Sequence, residues 1–475
     1  MGSTRGAVLL IYPRYRYLLA SSLEEPLGML YVASSLKRAG WDVRVLDLTF
    51  EKDLSRVEEA LRDDLDAVGM SVTSPLLDRA VEVLAFIKEL RPDLPCVMGG
   101  PHASAFPEDG LARGFDYAVV GDGEETMASL MAALRRGGVD SVPGLAFRKA
   151  DGEVRVNPQR FIADLDSIAF PDRTYLDYSK YEKVGFITTR GCPYKCFYCK
   201  PMQDKLFGRK IRRRSPGNVV REIVEVFRLL GKRIVHFRDD TITIGGLEWF
   251  QEFHDLLRKA MPEGIQFQCN SRVDQITEEK LGLMKAAGCV QIFFGVESGS
   301  QKILDFYQKG TTPDQAVRTF RLCKKFKIQA VAAIMLGAPV ETVEDMKLTF
   351  RLIRRIKPDN WIVYTTTPFP GNYLYDYAKE NNLLRVSRSE EYDNAMNKRN
   401  RFMPLELKFV SAHDLQRYAN KIDRYMFLCS VLKWRTMLNV LRRPRSAYYK
   451  VTNLLRVGNR SKPVPVPAKA AAALR

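Results

Sequence analysis

The sequence predicts an α/β chain with a doubly wound, Rossmann-like N-terminal domain, then a partial barrel of six β/α units, then a helical C-terminal segment. Three observations carry this. Short Val-, Leu- and Ile-rich runs alternate with helical periodicity over the first 150 residues, the alternation lapses over 151–183, and it restarts at Val184. At 475 residues, with 46% hydrophobic and 27% charged, the chain is long and apolar enough for two or three globular domains, which excludes disorder, collagen and a disulfide-stapled miniprotein. No window approaches the roughly 18 apolar residues of a spanning helix. The short apolar run after Gly6 lacks the features of a signal peptide, so a cytoplasmic location is expected.

Taken in order, the runs 7–12, 43–48, 67–71, 95–98 and 117–120 read as buried parallel strands of a domain spanning 1–150. Helical patterns such as 27–39, closed by Gly40, and 77–90 lie between them. Three strands end in small residues: Ser71-Val72-Thr73-Ser74, Gly99-Gly100-Pro101-His102 and Gly121-Asp122-Gly123-Glu124. In a doubly wound sheet such ends form the ligand crevice. Residues 151–183, with Pro158 and Pro171, read as a linker. Strands are then expected to begin near Val184, Arg233, Gln266, Val290, Ala330 and Asn360, six units over 184–385 where a closed barrel needs eight. Residues 386–460 are helical in pattern and basic, and 461–475, with Pro463, Pro465, Pro467 and an alanine run, are expected to be disordered.

The net charge of +18 is uneven. From Lys421 onward 13 Lys and Arg face the single acid Asp423, so +12 sits on this tail and +6 on the first 420 residues. Over 424–443, Tyr, Phe, Leu and Trp interleave with four Arg and one Lys. That is the pattern of an amphipathic helix, which either covers the open side of the partial barrel or docks peripherally on anionic lipid. No nucleic-acid module is recognisable, and no nucleic acid is expected as a partner.

Eight cysteines are scattered except for Cys192-Pro193-Tyr194-Lys195-Cys196-Phe197-Tyr198-Cys199, directly after the first barrel strand. Three thiols at this spacing on one loop are soft ligands of the kind iron–sulfur clusters take. A structural zinc site would need a fourth Cys or His, and none is adjacent. Three ligands on a four-iron cluster leave one iron open, at the strand end where barrels place their chemistry. The remaining cysteines read as small buried residues.

With Tyr198 before the last cysteine, this loop resembles the cluster-binding motif of the radical S-adenosylmethionine (SAM) superfamily, and the resemblance extends over about 184–380. It implies a [4Fe-4S] cluster on Cys192, Cys196 and Cys199, whose open iron chelates SAM so that reduction releases a 5′-deoxyadenosyl radical. It also implies SAM contacts at Tyr198 and at successive strand ends. These are Asp239 and Asp240 toward the amino group, in place of the usual Gly-Gly-Glu, and Arg272 toward the carboxylate. Glu297 and Ser298 would meet the ribose, and Gly337 and Pro339 the adenine.

The first domain, in turn, resembles the cobalamin-binding domain found beside many radical SAM domains. The residues that carry this are Gly28 in Glu25-Pro26-Leu27-Gly28, Ser71, Thr73, Gly99, Gly100, His102, Gly121 and Glu124, implied as cofactor contacts. The D-x-H-x-x-G motif that supplies an axial histidine is absent. Tyr12-Pro13-Arg14-Tyr15-Arg16-Tyr17 stands in its place, so cobalt is expected without that ligand, and His102 is expected to hydrogen-bond. Together the resemblances imply a cobalamin-dependent radical SAM enzyme similar to the class B methyltransferases. It would methylate an unactivated carbon of a small-molecule or lipid-like substrate, with a flavodoxin or ferredoxin as electron donor. The arrangement is also similar to the anaerobic magnesium-protoporphyrin monomethyl ester cyclase, which keeps ring closure or rearrangement as the alternative. A cofactor sensor or scaffold is the alternative outside enzymes.

Overall fold

The computed structural model describes residues 6–15, 24–51, 53–181, 183–386, 391–392 and 403–431. Residues 1–420 and 421–475 are separate compact units. Of the basic tail only 421–431 are described, as the end of the helix Ala412–Val431. The rest of the expected amphipathic segment and 461–475 lie outside the described residues. Among the described residues no helix is long and apolar enough to cross a membrane.

The first sheet has seven strands, β1 (Ala7–Tyr12), β2 (Asp42–Asp47), β3 (Leu65–Ser71), β4 (Cys96–Gly99), β5 (Tyr117–Val119), β6 (Leu145–Arg148) and β7 (Val154–Val156), in the order β2-β1-β3-β4-β5-β6-β7. The first five are parallel, and β6 and β7 are antiparallel additions. β1 shows why its sequence is apolar throughout. Val8 and Leu10 pack with Met29, Leu36 and Leu130 on one face, while Leu9 and Ile11 pack with Leu76, Leu84 and Ile87 on the other. Both faces are covered, so no polar alternation is selected. The chain order reverses between β1 and β3, the switch point at which such sheets open a crevice. The expected linker contributes Val154–Val156 to this sheet as β7, an edge strand too short and too exposed to carry an apolar signature.

The second sheet begins with β8 (Val184–Phe186), which a separate two-residue ribbon of β9 (Thr189–Arg190) against β10 (Arg212–Arg213) follows in the chain. It continues with β11 (Ile234–Phe237), β12 (Gln266–Ser271), β13 (Cys289–Glu297), β14 (Gln329–Leu336) and β15 (Asn360–Thr365). The six strands of this sheet are all parallel, in the order β15-β14-β13-β12-β11-β8, and the sheet stays open, as the count of six units implies. Its outer face carries Phe237, Phe253 and Phe267 with ring centroids 5.2–6.3 Å apart. The helices Pro313–Lys325 and Val343–Ile356 each start with a capping box, on Thr312 and Thr342, which fixes where each follows its strand. The open edge at β8 is not left bare. Glu25 accepts from the Gly185 amide, and Arg173 donates to the Gly185 carbonyl at 2.7 Å, so the N-terminal domain and the linker cap this edge strand.

Candidate functional site

The segment between β8 and the cysteines builds one wall of the site. Asp239 Oδ1 accepts from the Thr188 amide at 2.9 Å, the Thr188 hydroxyl at 2.8 Å and the Thr189 hydroxyl at 2.6 Å. Arg190, next in sequence, is buried against carboxylates of the first domain. Gly191 then turns the chain with φ 93°, and a Cβ there would stand 2.7 Å from the Lys210 carbonyl oxygen, so only glycine fits.

Within the loop several backbone groups are held by partners other than the thiols. The amides of Cys199 and Lys200 donate to the Cys196 carbonyl at 3.0 Å, and Phe197 donates to the Tyr307 carbonyl at 2.9 Å. Lys200 Nζ donates to the Cys192 carbonyl at 2.8 Å, and Asn372 Nδ2 to the Tyr198 carbonyl at 2.8 Å. Cys196 is buried, Cys192 and Cys199 are half-buried, and all three are free. Burial pushes the Cys192 and Cys199 thiols up, opposed by the Tyr194 amide and then Lys200 at the first and by Lys309 at the second. A coordinated metal removes such protons, and the cations beside the loop suit an anionic thiolate cluster. Among the described residues no three His, Cys, Asp or Glu side chains converge as a single ion such as zinc requires.

The strand ends bring the expected contacts around this loop. At the end of β11 Asp239 is buried, and its Oδ2 has no partner. Burial pushes Asp239 up; Asp240 is pushed up to about 6, by burial and by the neighbouring Asp239. An orphaned carboxylate oxygen beside a second acid fits a donor-bearing group such as an ammonium. Arg272, after β12, is paired twice with Asp274 at 2.9 Å and donates to the Lys309 carbonyl at 2.6 Å. It also lies 3.6 Å from the Tyr194 ring centroid and 3.6 Å from Cys196 Sγ, so it braces the loop directly.

Glu297 ends β13 at φ 61°, in the left-handed region that a glutamate seldom adopts. Its carboxylate, the Lys309 ammonium and the Tyr198 hydroxyl form a closed triangle with sides of 2.8, 2.9 and 3.0 Å. Gly295 leaves the room, since a Cβ there would stand 2.4 Å from Glu297 Oε1. Ser298 faces inward, its hydroxyl 3.1 Å from Thr349 Oγ1 and accepting from the Ser300 amide at 3.1 Å. After β14, Gly337 adopts φ 91° and Pro339 is buried. Glu341 Oε2 accepts from the Gly337 and Ala338 amides, its Oε1 is buried without a partner, and burial pushes the carboxyl up to about 7. Sequence reasoning missed Thr188, Thr189, Tyr194, Lys309 and Glu341. Tyr194 lies within the motif and the threonines just before it, so all three were open to inspection, whereas Lys309 follows a short helix with no distinguishing pattern.

The first sheet's carboxyl edge differs in kind. Gly28, in the first turn of the helix Leu27–Arg38, is exposed, and a Cβ there would meet nothing within 4 Å. Gly99 has its nearest neighbour at 3.8 Å from such a Cβ. Gly100, at φ 93°, packs against Val72, with a Cβ only 3.0 Å from its carbonyl oxygen and 3.3 Å from the Ser71 hydroxyl. Thr73 Oγ1 lies 3.1 Å from the Tyr15 hydroxyl. These glycines and hydroxyls form an edge over which a bulky ligand can approach backbone, and Gly28 has no packing reason of its own to lack a side chain. Three expected contacts are engaged inside the protein instead. His102 is buried, with Nδ1 3.1 Å from Ser74 Oγ and Nε2 3.1 Å from Asp109. Gly121, at φ 83°, packs on Gln159, and Glu124 is ion-paired with Arg190.

Comparison with known proteins identifies two domains in this chain. Residues 19–131 match the B12 binding domain and residues 186–353 the radical SAM superfamily. An uncharacterized methyltransferase of Pyrococcus horikoshii is 32% identical over 383 residues, covering 77% of this chain and 81% of its own. The anaerobic magnesium-protoporphyrin IX monomethyl ester cyclase of Rubrivivax gelatinosus is 30% identical over 420 residues, covering 81% and 74%. Among solved structures, the cobalamin-dependent SAM radical enzyme OxsB with aqua-cobalamin bound aligns with a TM-score of 0.73 at 18% identity, over 95% of this chain and 71% of that one. The radical SAM methyltransferase TsrM of Kitasatospora setae, with cobalamin and a [4Fe-4S] cluster bound, aligns at 0.67 and 22% identity, over 79% and 75%. Both are likenesses of fold.

Proposed function

The chain belongs to the family of enzymes that join a B12-binding domain to a radical SAM domain, and from that membership we propose that it methylates an unactivated carbon of a small molecule. One observation carries the reading. Asp122 and Glu124, just past β5 of the first sheet, hold Arg190, two residues before the first cluster cysteine, so the ligand edges of the two sheets meet. Bound there, a [4Fe-4S] cluster, SAM and cobalamin supply reductive cleavage of SAM and delivery of a methyl group.

The chain's own part is to hold and orient. Cys192, Cys196 and Cys199 take the cluster. Asp239 Oδ2 and Asp240 receive the ammonium of SAM, and Arg272, fixed by Asp274 and Tyr194, offers its guanidinium to the carboxylate. Glu297, locked by Lys309 and Tyr198, and Ser298 stand at the ribose position, and the Gly337-to-Pro339 backbone, pinned by Glu341, at the adenine. Gly28, Ser71, Thr73, Gly99 and Gly100 line the cobalamin edge, with His102, Gly121 and Glu124 bracing it from behind. The electron donor belongs to the flavodoxin or ferredoxin class. A lipid-like substrate, met through peripheral docking of the basic segment 424–443, is the finer form of the proposal and rests on sequence alone.

Reconstituting the chain anaerobically with iron, sulfide and hydroxocobalamin, then supplying SAM labelled in its methyl group and metabolite extracts, tests it. The expected result is a product heavier by one labelled methylene equivalent. The second reading, ring closure or rearrangement, is favoured by the 30% identity to the cyclase and produces 5′-deoxyadenosine without such a gain. Absence of any SAM cleavage would contradict both readings.

A further inference from the structure

Arg190 leaves the ribbon β9 with its guanidinium directed into the first domain. Nη1 is 2.7 Å from Asp122 Oδ1 and 3.2 Å from Glu124 Oε2, and Nη2 donates to Glu124 Oε1. Its register partner across the ribbon, Arg212, donates to Asp122 Oδ2, to the Ile162 carbonyl at 2.7 Å and to the Phe207 carbonyl at 2.9 Å. The side chains of Arg190, Asp122 and Glu124 are 7%, 1% and 5% exposed. Tyr31, from the first helix of the N-terminal domain, lies under the guanidinium with its ring centroid 5.5 Å away.

Two arginines from the cysteine-loop ribbon therefore meet two carboxylates from one turn of the other domain, in balanced charge and out of water. Such a buried ionic cluster gives little net stability over an apolar contact of the same volume. Its directional hydrogen bonds do fix position. What they fix here is specific. Thr188 and Thr189, immediately before Arg190, are bound to Asp239 of the SAM-side strand end, and Cys192 follows across the constrained Gly191. On the other side, Gly121 opens the turn that carries Asp122 and Glu124, and its amide donates to Ser104 Oγ at 3.1 Å. One side chain thus joins the two halves of the site: Arg190 lies two residues before Cys192, and its partners lie one and three residues after Gly121.

We propose that Asp122 and Glu124 are positioning residues that, by gripping Arg190, set the separation between the cysteine loop and the ligand edge of the first sheet. The proposal rests on the functional reading above for the identity of the two ligands, and on the geometry alone for the grip. Its consequence is that a change in the first domain loosens the cysteine loop, without touching a cysteine or a SAM contact.

The test compares wild type with Glu124→Gln and Arg190→Lys by hydrogen–deuterium exchange, before and after cluster loading, so that a variant that fails to take iron still reports. Expected is about tenfold faster exchange over residues 188–200 in both variants, with β13 unchanged. After hydroxocobalamin is added and reduced, the cobalt electron paramagnetic resonance signal should relax more slowly in the variants, because the cluster that speeds it is no longer held at one distance. Exchange that rises only over 121–125, or not at all, would overturn the proposal by reducing the contact to local packing. A wild-type chain that holds its iron but no corrinoid would contradict the functional reading instead, and the exchange comparison alone would then decide the grip.

Discussion

The two ligand edges of this protein are built by opposite means. At the barrel edge nearly every functional side chain is charged and already partnered: Arg272 with Asp274, Glu297 with Lys309, Asp239 with two threonines. At the first sheet's edge, glycines and hydroxyls predominate; Gly28 leaves open space, and a Cβ at Gly99 would meet only the Met70 carbonyl, at 3.8 Å. The difference teaches what each edge is for. A small, highly charged ligand such as SAM is held by preset side-chain charges, which must be kept from collapsing on one another by mutual pairing. A large ligand is met by shape and by backbone, and the protein invests little folding energy in its side chains there.

This contrast can be broken, most severely at the barrel edge. Cys196→Ala removes the buried central thiol, and iron and sulfide after anaerobic reconstitution should fall from a four-iron complement to background, with SAM cleavage lost. Retained iron with an unchanged cluster spectrum would show that the loop is not the site.

Next in size is Glu297→Gln, which leaves the Lys309 ammonium buried beside Tyr198 without its counter-charge. A loss of about 3 kcal/mol in urea unfolding is expected. A loss below about 1 kcal/mol would mean that the triangle is not the paired, desolvated unit described.

Glu341 sharpens the comparison through pH. Its carboxyl is raised from 4.5 to about 7 by burial, so the folded state keeps a proton that the unfolded chain gives up. The sign follows. Below pH 4.5 both states are protonated and nothing is lost, between 4.5 and 7 stability falls as pH rises, and above 7 the penalty is constant. Relative to Glu341→Gln, wild type should lose about 3 kcal/mol across that window, read from denaturation at several pH values. Parallel pH profiles for the two proteins would contradict a buried, proton-holding carboxyl behind the Gly337 loop.

The smallest effect is expected at the first edge. Gly28→Ala adds a methyl group into open space on a helix and should stabilise the fold by about 0.5–1 kcal/mol. Corrinoid affinity should nevertheless drop, measured by absorbance titration. Unchanged affinity would remove the reason given for a glycine at this position.

Much of this was legible in the chain, and what was not has a physical cause. All six barrel strands begin within a residue of where apolar runs place them, because a strand buried on its outer face against helices must be apolar there. β7 escaped because a short antiparallel edge strand needs no such run: Val156 is exposed, and Arg155 points to solvent beside Asp140; β6 is buried between β5 and β7, but its apolar run is only the three residues Leu145 to Phe147. The cysteines were legible because metal ligation demands a residue type at a spacing. Lys309 and Glu341 were not, since each earns its role from a partner on another element, and no spacing along the chain records that. Glu124 shows the same limit from the other side. Its place in a glycine-rich strand end was readable, but which side of the turn its carboxylate faces was decided by Arg190, 66 residues away.

The central claim is that one chain holds two cofactors, a cluster on its thiol loop and a corrinoid on its glycine edge. Titrating hydroxocobalamin anaerobically into the iron-loaded protein, with removal of unbound corrinoid and assay of both metals, tests it most directly. The expected result is one cobalt and four irons retained per chain. Iron retained in full with no bound cobalt at any corrinoid concentration would contradict it.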